Sequence, residues 1–499
     1  MTVVEREIKL AAPPAIALPP LSDPLAGVVA EPAGTLHLLA TYYDTEDLRL
    51  TRAGASLRHR NDEGWAVKLP QADGENHGRL DRATYSIPGD AEQPPTEALD
   101  LVRALARSAS VGPVARLRTT RRAVRLRTTA GVPIGEVVDD DVAILDGDSA
   151  VRGFRELEFE LADQAPEAQA ASIVARLRAA GAGPPDPTPK IVRALGPRAA
   201  APPDVAPTHT TARTVGDVVR AALAAPVAKL IAHDPGVRRG DDAEDVHQAR
   251  VATRRLRSHL RTFVPLVDET WAEALRDELG WLGGALGGVR DADVLLDRLE
   301  QRIEQLPGPD RASADRLLDR LRRQRDEARD AMLRALRSHR YAVLLDRLVD
   351  AARQPRLGPT DPAQPDEELL KGFVRAAWDN LSDAVDRLGE EPPDDDLHDV
   401  RKRAKRARYA AEAVEPMFGK RARGLIRALT EVQDVLGEHQ DGVIAAQWLR
   451  EAATEVHDEG TAFAAGQLVM QESEAARGGR RAWPPTWRDA SRKKLRAWL

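Results

Sequence analysis

The sequence predicts an α+β N-terminal domain, built on an antiparallel β-barrel with a polar lumen, followed by an all-α C-terminal domain. Three observations predict this division. Along residues 3–162, polar and apolar residues alternate in many short segments, which is the period of β-strands. Residues 182–212 are rich in Pro and Ala and interrupt the pattern as a linker does. After the linker, apolar residues recur three and four positions apart, as on amphipathic helices.

Composition sets limits on the function. The chain has 499 residues, and its 73 Lys and Arg against 79 Asp and Glu give a net charge of -6, which excludes a uniformly basic protein that coats nucleic acid. It has no cysteine, which excludes disulfides, thiolate metal sites and a cysteine nucleophile. The N-terminus lacks the apolar core of a signal peptide, and no apolar run approaches the roughly 20 residues of a membrane span. We therefore expect a cytoplasmic protein.

The N-terminal domain is predicted over residues 1–195, with a linker over 196–212. Two helices, near 96–108 and 166–181, interrupt its strands. Alternation predicts eight strands, at 3–10, 35–43, 55–60, 64–69, 82–88, 114–128, 134–145 and 152–162. Many antiparallel strands separated by turns favour a sandwich or a barrel.

Charged residues occupy one face of several of these strands. Because alternate side chains share a face, Glu5, Glu7 and Lys9 lie together on the first strand. On one strand alone, a solvated face is the simpler explanation. The pattern recurs, with Arg58 and Arg60, then Lys68, then Arg116, Arg118 and Arg122, then Glu136 and Asp140, then Glu156, Glu158 and Glu160. A barrel lumen in which carboxylates hold a divalent cation and basic groups hold linked phosphates would explain the recurrence.

These residues resemble those of the CYTH superfamily, the triphosphate tunnel metalloenzymes, which include class IV adenylyl cyclases, thiamine triphosphatases and inorganic triphosphatases. Glu5-x-Glu7-x-Lys9 matches the ExExK signature of that family. Further matches follow in order: residues 42–45 with Leu48 and Leu50, residues 56–60, Lys68, Arg82, residues 136–140, residues 156–158 and Lys190.

The resemblance implies an eight-stranded tunnel that hydrolyses inorganic triphosphate or a related triphosphate with Mg²⁺ or Mn²⁺. Glu5, Glu7 and Lys9 are the implied catalytic residues. The implied metal ligands are Glu5, Glu7, Asp140, Glu156 and Glu158. Asp140 is favoured over Asp139 because it shares a strand face with Glu136. The implied phosphate ligands are Lys9, Arg58, Arg60, Lys68, Arg118, Arg122 and Lys190. Many members have Arg-x-Glu where this chain has Arg82-Ala83-Thr84, which leaves the substrate and the number of metal ions open.

The C-terminal domain, predicted over 213–499, contains a duplication. His247 and His398 each begin a helix with basic residues at the same later positions, and 398 − 247 = 151. Leu286-Gly287 to Asp291 and Leu436-Gly437 to Asp441 also match, and 441 − 291 = 150. Two segments at nearly one offset indicate an internal repeat. We expect two helical bundles, over about 213–353 and 366–499, separated by a loop at 354–366.

Each repeat places a histidine and several basic residues along one helical stripe. Like charges repel, so the same array in both repeats favours an anion-binding surface over a solvated face. Nucleic acid is disfavoured because only Tyr409 interleaves with the arrays and the pI is about 6.1. Metal binding by His247, His398 and His439 is disfavoured by their basic neighbours.

These arrays resemble the CHAD domain, a conserved-histidine α-helical domain often fused to CYTH, in two HxxR-type helices and two LG-x-x-x-D turns. The resemblance implies that inorganic polyphosphate binds a basic pore between the repeats. The implied ligands are His247, Arg250, Arg254, Arg255, Arg257, His398, Arg401, Lys402, Lys405, Arg406 and Arg408. Inorganic triphosphate and polyphosphate are thus the expected partners, without a membrane, at a cytoplasmic location associated with polyphosphate granules. The alternatives are a non-catalytic polyphosphate-binding protein and a cyclase or thiamine triphosphatase. Oligomeric state is not predicted.

Overall fold

The computed structural model describes residues 3–4, 7–23, 27–70, 82–162, 165–206, 212–358, 366–455 and 458–499. The chain divides into two compact units, Met1–Asp204 and Val205–Leu499.

The first unit is a curled antiparallel sheet with four α-helices among its described residues. The strands are β1 (Val3–Val4), β2 (Glu7–Ala12), β3 (Val28–Asp44), β4 (Ser56–Arg60), β5 (Gly64–Pro70), β6 (Arg82–Ile87), β7 (Gly112–Thr128), β8 (Pro133–Asp146) and β9 (Ser149–Leu161). The helices are α1 (Arg49–Arg52), α2 (Thr96–Ala106), α3 (Glu167–Ala179) and α4 (Lys190–Leu195).

The sheet order is β1-β6-β5-β4-β3-β7-β8-β9-β2, and every pair is antiparallel. β1 and β2 are neighbouring pieces of the N-terminal segment, and they pair with β6 and β9 at the two edges. With these pieces counted as one strand, eight antiparallel strands form a curled half-barrel. The predicted N-terminal fold class is confirmed.

Most of the apolar core of this unit lies behind the sheet, which leaves the inner face polar. Ile173 and Leu177 of α3 pack with Leu157 and Phe159 of β9. α4 is placed differently, because its buried Ile191 packs with side chains that share the inner face, among them Tyr42, Leu117 and Val142. α4 therefore enters the lumen at one end, and its first residue faces the polar interior.

The third strand is longer than predicted. β3 begins at Val28, whereas alternation placed its start at residue 35. A register shift lies between Pro32 and Gly34, and Gly34 has a positive φ of 99°. Such a bulge breaks the period of two, so the sequence pattern resumes only beyond it.

The second unit is entirely helical over its described residues, with nine α-helices. They are α5 (Val215–Arg239), α6 (Ala243–Thr262), α7 (Glu269–Ile303), α8 (Gly308–Arg337), α9 (His339–Arg353), α10 (Glu367–Asp386), α11 (Asp394–Phe418), α12 (Lys420–Glu455) and α13 (Glu459–Ala490). Side chains cap several helix N-termini, and Thr214 and Asp217 form a capping box on α5. The predicted all-α fold is confirmed.

The two repeats share part of their core. Leu299 and Leu317 of the first repeat lie in one buried cluster with Leu449 and Leu468 of the second. Across the described residues, no helix is long and apolar enough to cross a membrane.

The two LG-x-x-x-D segments were expected to be turns, and this expectation was wrong. Gly287 and Asp291 lie inside α7, and Gly437 and Asp441 lie inside α12. Glycine at these positions leaves room for an arginine, because a Cβ at Gly437 would lie 3.2 Å from the guanidinium of Arg401.

Candidate functional site

The inner face of the curled sheet lines a cavity of about 650 Å³. Its lining includes side chains from β2, β3, β4, β5, β7, β8 and β9. The charged residues of the lining are Glu7, Lys9, Arg58, Arg60, Glu63, Lys68, Arg121, Asp140, Glu158, Glu160 and Lys190.

The acidic wall consists of Asp140 and Glu158, which line one side of the cavity, and Glu156, which is buried beside them. β8 and β9 place them together, because Asp140 pairs directly with Glu156 and parity adds Glu158. All three are buried, and one oxygen from each lies within 4.8 Å of the others. Among the described residues, this is the one group of potential ligands with spacing suited to a metal ion.

Lys190, Lys9 and Arg121 make the shortest contacts with the acidic wall. The Lys190 ammonium lies 2.9 Å from Asp140, 2.7 Å from Glu156 and 2.8 Å from Glu158. Lys9 reaches Glu158 at 2.7 Å. Arg121 donates two hydrogen bonds to Asp140, at 2.9 and 2.7 Å, and one to Glu158 at 3.0 Å.

These contacts separate the pKa values of the two glutamates. Burial tends to raise the pKa of Glu158, but Lys190, Lys9 and Arg121 together hold it well below its usual range. Burial raises the pKa of Glu156, and Lys190 offsets this only in part. The pKa of Lys190 is raised despite its burial, because Glu158, Asp140 and Glu156 surround it. Lys190 is therefore a permanent cation.

The opposite side, the basic wall, consists of Arg58, Arg60 and Lys68 on β4 and β5. Register places Lys68 opposite Ser56. The two arginines are paired with carboxylates of the following turn: Arg58 contacts Glu63 at 2.6 Å, and Arg60 contacts Asp62 at 2.6 Å. These partners are partly exposed, so a phosphate can replace them at small cost.

Tyr42 links the two walls. Its hydroxyl lies 3.5 Å from Arg58. Burial raises its pKa, but Arg58, Lys190 and Lys9 outweigh burial and the pKa is lowered. An anion in the cavity would meet the same positive potential.

The structure corrects the parity expected for β7. Leu117, Thr119 and Arg121 line the cavity, whereas Arg118 and Arg122, expected to bind phosphate, lie on the outer face. Arg122 is half exposed and pairs with Asp139 there. Arg121 and Arg122 are adjacent, so basic charge alone did not define which parity faces inward.

The remaining predicted residues of the first unit are placed as follows. Glu7, Lys9, Arg58, Arg60, Lys68 and Lys190 line the cavity. Asp140 faces the cavity with Glu156, whereas Asp139 is bound by Arg155 on the other face. Glu5 lies outside the described residues.

Sequence reasoning missed Arg121, Tyr42 and Arg193. Arg193, one turn after Lys190 on α4, lies 3.4 Å from Glu156 and 2.8 Å from Asp186. Strand pairing, which puts Arg121 opposite Asp140, would have identified the first. Tyr42 lies in the matched segment 42–45 but had no predicted role, and nothing in the local pattern marked Arg193.

The acidic wall could hold a metal ion. Carboxylate oxygens are the donors that hard divalent cations prefer. The two oxygens of Glu156 are buried, and their contacts are ion pairs with Lys190 at 2.7 Å and Arg193 at 3.4 Å. The donor set of this wall therefore fits such an ion.

In the second unit, the basic helices of the two repeats, α6 and α11, lie against each other. Arg254 donates a 2.9 Å hydrogen bond to the hydroxyl of Tyr409. Arg255 lies 2.9 Å from Glu412, and Arg408 lies 3.2 Å from the same carboxylate. These contacts bring the two predicted arrays to one surface, which we call the basic surface.

The duplicated motifs are neighbours in space. Arg250 bonds Asp291 and the carbonyl of Gly287 on α7. Arg401 packs on Gly437 of α12, and Asp441 attracts it. Each repeat thus anchors one arginine of its HxxR helix on its LG-x-x-x-D helix.

Basic groups at the centre of the basic surface repel one another. Burial, with Arg401, Arg254 and Arg250 nearby, lowers the pKa of Lys405 to about 7. The predicted residues Arg257, Lys402 and Arg406 are exposed.

The three histidines do not form a metal site within the described residues. Burial and adjacent basic groups lower the pKa of His247 and of His398. Buried His439 contacts the carbonyl of Ala476 at 2.9 Å and Asp394 at 3.1 Å.

Comparisons with known proteins agree with both halves of the chain. The sequence matches the CYTH domain over residues 4–184 and the CHAD domain over 221–450. It is 34% identical over 485 residues to the Mycobacterium tuberculosis protein Rv2226, covering 92% of this chain and 90% of that protein.

Two solved structures are also similar. PptA from Streptomyces chartreusis has 27% identity and a TM-score of 0.47, covering 55% of this chain and 99% of PptA. The CHAD domain from the plant Ricinus communis has 27% identity and a TM-score of 0.44, covering 55% of this chain and 93% of that domain.

CYTH domains form a family of triphosphate tunnel enzymes, which are often phosphohydrolases or cyclases and are generally metal-dependent. The chain belongs to the proteins in which such a CYTH domain is joined to a CHAD domain.

Proposed function

We propose that the first unit hydrolyses inorganic triphosphate with Mg²⁺ or Mn²⁺, and that the second unit binds inorganic polyphosphate. One observation carries the first part. On one side of the cavity lie Asp140 and Glu158, with Glu156 buried beside them, and on the other side lies the basic wall. A substrate made of linked phosphates, bridged by a divalent cation to carboxylates, matches both sides.

In this proposal the basic wall and Lys9 donate hydrogen bonds to the phosphate oxygens and fix the substrate in the cavity. The acidic wall holds the metal, which when bound stabilises negative charge on the transferring and leaving phosphates. Glu7 lines the cavity outside the acidic wall, and in this proposal it orients the attacking water and accepts its proton. Glu5 remains a proposed ligand.

The test is a substrate panel. Full-length protein is incubated with triphosphate, ATP or thiamine triphosphate, with Mg²⁺ or Mn²⁺, and phosphate and pyrophosphate release are measured. We expect triphosphate to be preferred and Asp140→Asn to lose turnover, whereas Asp141→Asn, at the exposed neighbouring position, retains it. Release of pyrophosphate from ATP alone would favour a cyclase, and preference for thiamine triphosphate would identify that substrate.

A non-catalytic tunnel is the second candidate. The observation that favours it is that Lys190, Lys9 and Arg121 already neutralise the acidic wall. Metal-dependent binding of triphosphate without turnover of any substrate in the panel would establish this function instead.

Polyphosphate binding rests on the convergence of two basic arrays on one surface. Arg250, Arg254, Arg401 and Lys405 lie at its centre. Substitution of all four by Glu should abolish polyphosphate retention on a gel or column. A matched control replaces four exposed arginines of α8 by Glu: Arg316, Arg323, Arg334 and Arg337. Equal losses in both proteins would show that net charge, not this surface, controls retention.

We also propose a cytoplasmic location at polyphosphate granules. A fluorescent fusion should overlap stained granules in cells, and the four-residue variant of the basic surface should not.

A further inference from the structure

Lys190 lies at the centre of the acidic wall. Its ammonium is within 2.9 Å of an oxygen on each of Asp140, Glu156 and Glu158. Only 13% of its side chain is exposed. No other cation of the described residues contacts all three carboxylates, since Arg121 contacts two of them and Lys9 and Arg193 contact one each.

The backbone that carries Lys190 is held in place. Pro189 precedes it at the N-cap of α4, and Ile191 follows in the apolar core. Arg193 ties the next turn of α4 to Asp186, whose amide donates to the carbonyl of Lys9. Because the backbone is fixed, the four-carbon side chain is the part that is free to move.

A metal ion and this ammonium exclude each other. Carboxylate oxygens coordinate Mg²⁺ at about 2.0–2.1 Å. An ion bound to all three carboxylates would therefore occupy the volume of the Lys190 nitrogen. Repulsion between the two cations at such a short distance adds to the steric conflict.

We propose that Lys190 is an exchangeable cation that closes the metal site until substrate arrives. When the acidic wall takes a metal ion, the Lys190 ammonium transfers to a phosphate in the cavity, which it also lines. The metal ion releases the Lys190 ammonium, and a bound phosphate accepts it. Metal and oligophosphate therefore bind cooperatively, because each makes the binding of the other more favourable. This inference rests on the proposed metal site.

The experiment measures Mn²⁺ binding by the full-length protein without any phosphate compound, from the electron paramagnetic resonance signal of free Mn²⁺. Lys190→Met and Lys190→Gln are compared with the natural protein. Both variants should bind Mn²⁺ at least about tenfold more tightly, because the competing cation is gone. Lys68→Met is the matched control: it removes the same charge from the basic wall of the same cavity and should change Mn²⁺ affinity little. Circular dichroism identifies any variant that fails to fold, and Gln retains a hydrogen-bonding group if Met does not fold.

Four outcomes are distinguishable. Tighter binding in the Lys190 variants alone supports the exchange. Stoichiometric Mn²⁺ binding by the natural protein, with folded Lys190 variants no tighter, overturns the exchange and leaves the proposed metal site intact. Equal gains in Lys190→Met and Lys68→Met also overturn it, since net charge would explain both. Absence of Mn²⁺ binding in every variant overturns both the exchange and the metal-dependent part of the proposed function.

Discussion

The side chains of two adjacent arginines on β7 lie on opposite faces of the sheet. Arg121 points into the cavity and bridges Asp140 and Glu158, whereas Arg122 is half exposed on the outside. Replacing Arg121 by Met leaves two buried carboxylates with fewer partners, which should cost about 1–3 kcal/mol of stability. It should also reduce kcat/KM for triphosphate at least about tenfold, because Asp140 loses the two guanidinium hydrogen bonds that orient it.

Arg122→Met is the control, because it removes the same charge one residue away. We expect its melting temperature and kcat/KM to stay close to those of the natural protein. Equal losses in the two variants, measured by thermal melts and phosphate release, would contradict the inward placement of Arg121.

Lys405 should make polyphosphate binding depend on pH. Its pKa is lowered to about 7, so the free protein carries it largely neutral above that pH. A bound polyanion favours the charged form and raises this pKa. Affinity should therefore be greatest below pH 7 and fall as the pH rises from 7 towards 9. The charged groups that face Lys405 are Arg250 and Arg254 on α6, His398 and Arg401 on α11, and Asp441 on α12.

The measurement is the dissociation constant for polyphosphate between pH 6 and 9 at fixed salt, since ionic strength alone changes such affinities strongly. Lys405→Met should flatten the profile. Burial and nearby basic groups lower the pKa of His247 and of His398, and Lys405→Met separates any contribution of these histidines from that of Lys405. A profile that keeps its slope in Lys405→Met would assign the effect to another group.

At the scale of elements, α12 and α13 approach closely where glycine replaces a side chain. A Cβ at Gly479 would lie 2.9 Å from the backbone nitrogen of His439, whereas a Cβ at Gly478 meets nothing within 4 Å. Gly479→Ala should therefore destabilise the helical unit by about 1–3 kcal/mol through overpacking. Gly478→Ala, on the open side of the same helix, should be neutral or stabilising by up to about 1 kcal/mol.

Thermal unfolding followed by circular dichroism at the helical minimum compares the two variants. Opposite shifts of the midpoint are expected. A melting temperature for Gly479→Ala equal to that of Gly478→Ala would show that the two helices separate without cost at this crossing.

Most helices and strands could be predicted because the hydrophobic periodicity of each is a property of its own short segment of sequence. Alternation identified the strands, and three- and four-residue spacing identified the helices. The bulge at Gly34 hid the first part of β3, because an extra residue breaks the period. The glycines of the LG-x-x-x-D motifs suggested turns, yet tertiary contacts with Arg250 and Arg401 explain them inside helices.

The site was less predictable than the elements. The parity of Glu156 and Glu158 predicted that these side chains share a face, since strand alternation is a local rule, whereas Glu7 of the ExExK signature lies outside the acidic wall. The role of Arg121 depends on the register of β7 against β8, and the contact of Arg193 with Glu156 depends on how α4 enters the lumen. Both are long-range arrangements that no segment of sequence encodes alone.

At the scale of the whole molecule, the net charge of -6 is the sum of acidic and basic residues that are concentrated in different places. Carboxylates gather on one wall of a cavity, and basic groups gather on its other wall and on α6 and α11. The two proposed polyanion sites raise the question of whether the helical unit would only retain polyphosphate or would also deliver chain ends to the tunnel.

Two substrates separate these possibilities. If the basic surface delivers chain ends, its four-residue Glu variant should hydrolyse triphosphate at the natural rate but lose most of its turnover of long polyphosphate. Arg58→Met, in the tunnel, should lose turnover of both substrates while retaining polyphosphate, because its partners Tyr42 and Glu63 belong to the first unit. Phosphate release from each substrate, with retention measured in parallel, distinguishes the cases. Undiminished turnover of long chains in the surface variant would show that the helical unit retains polyphosphate without feeding the tunnel.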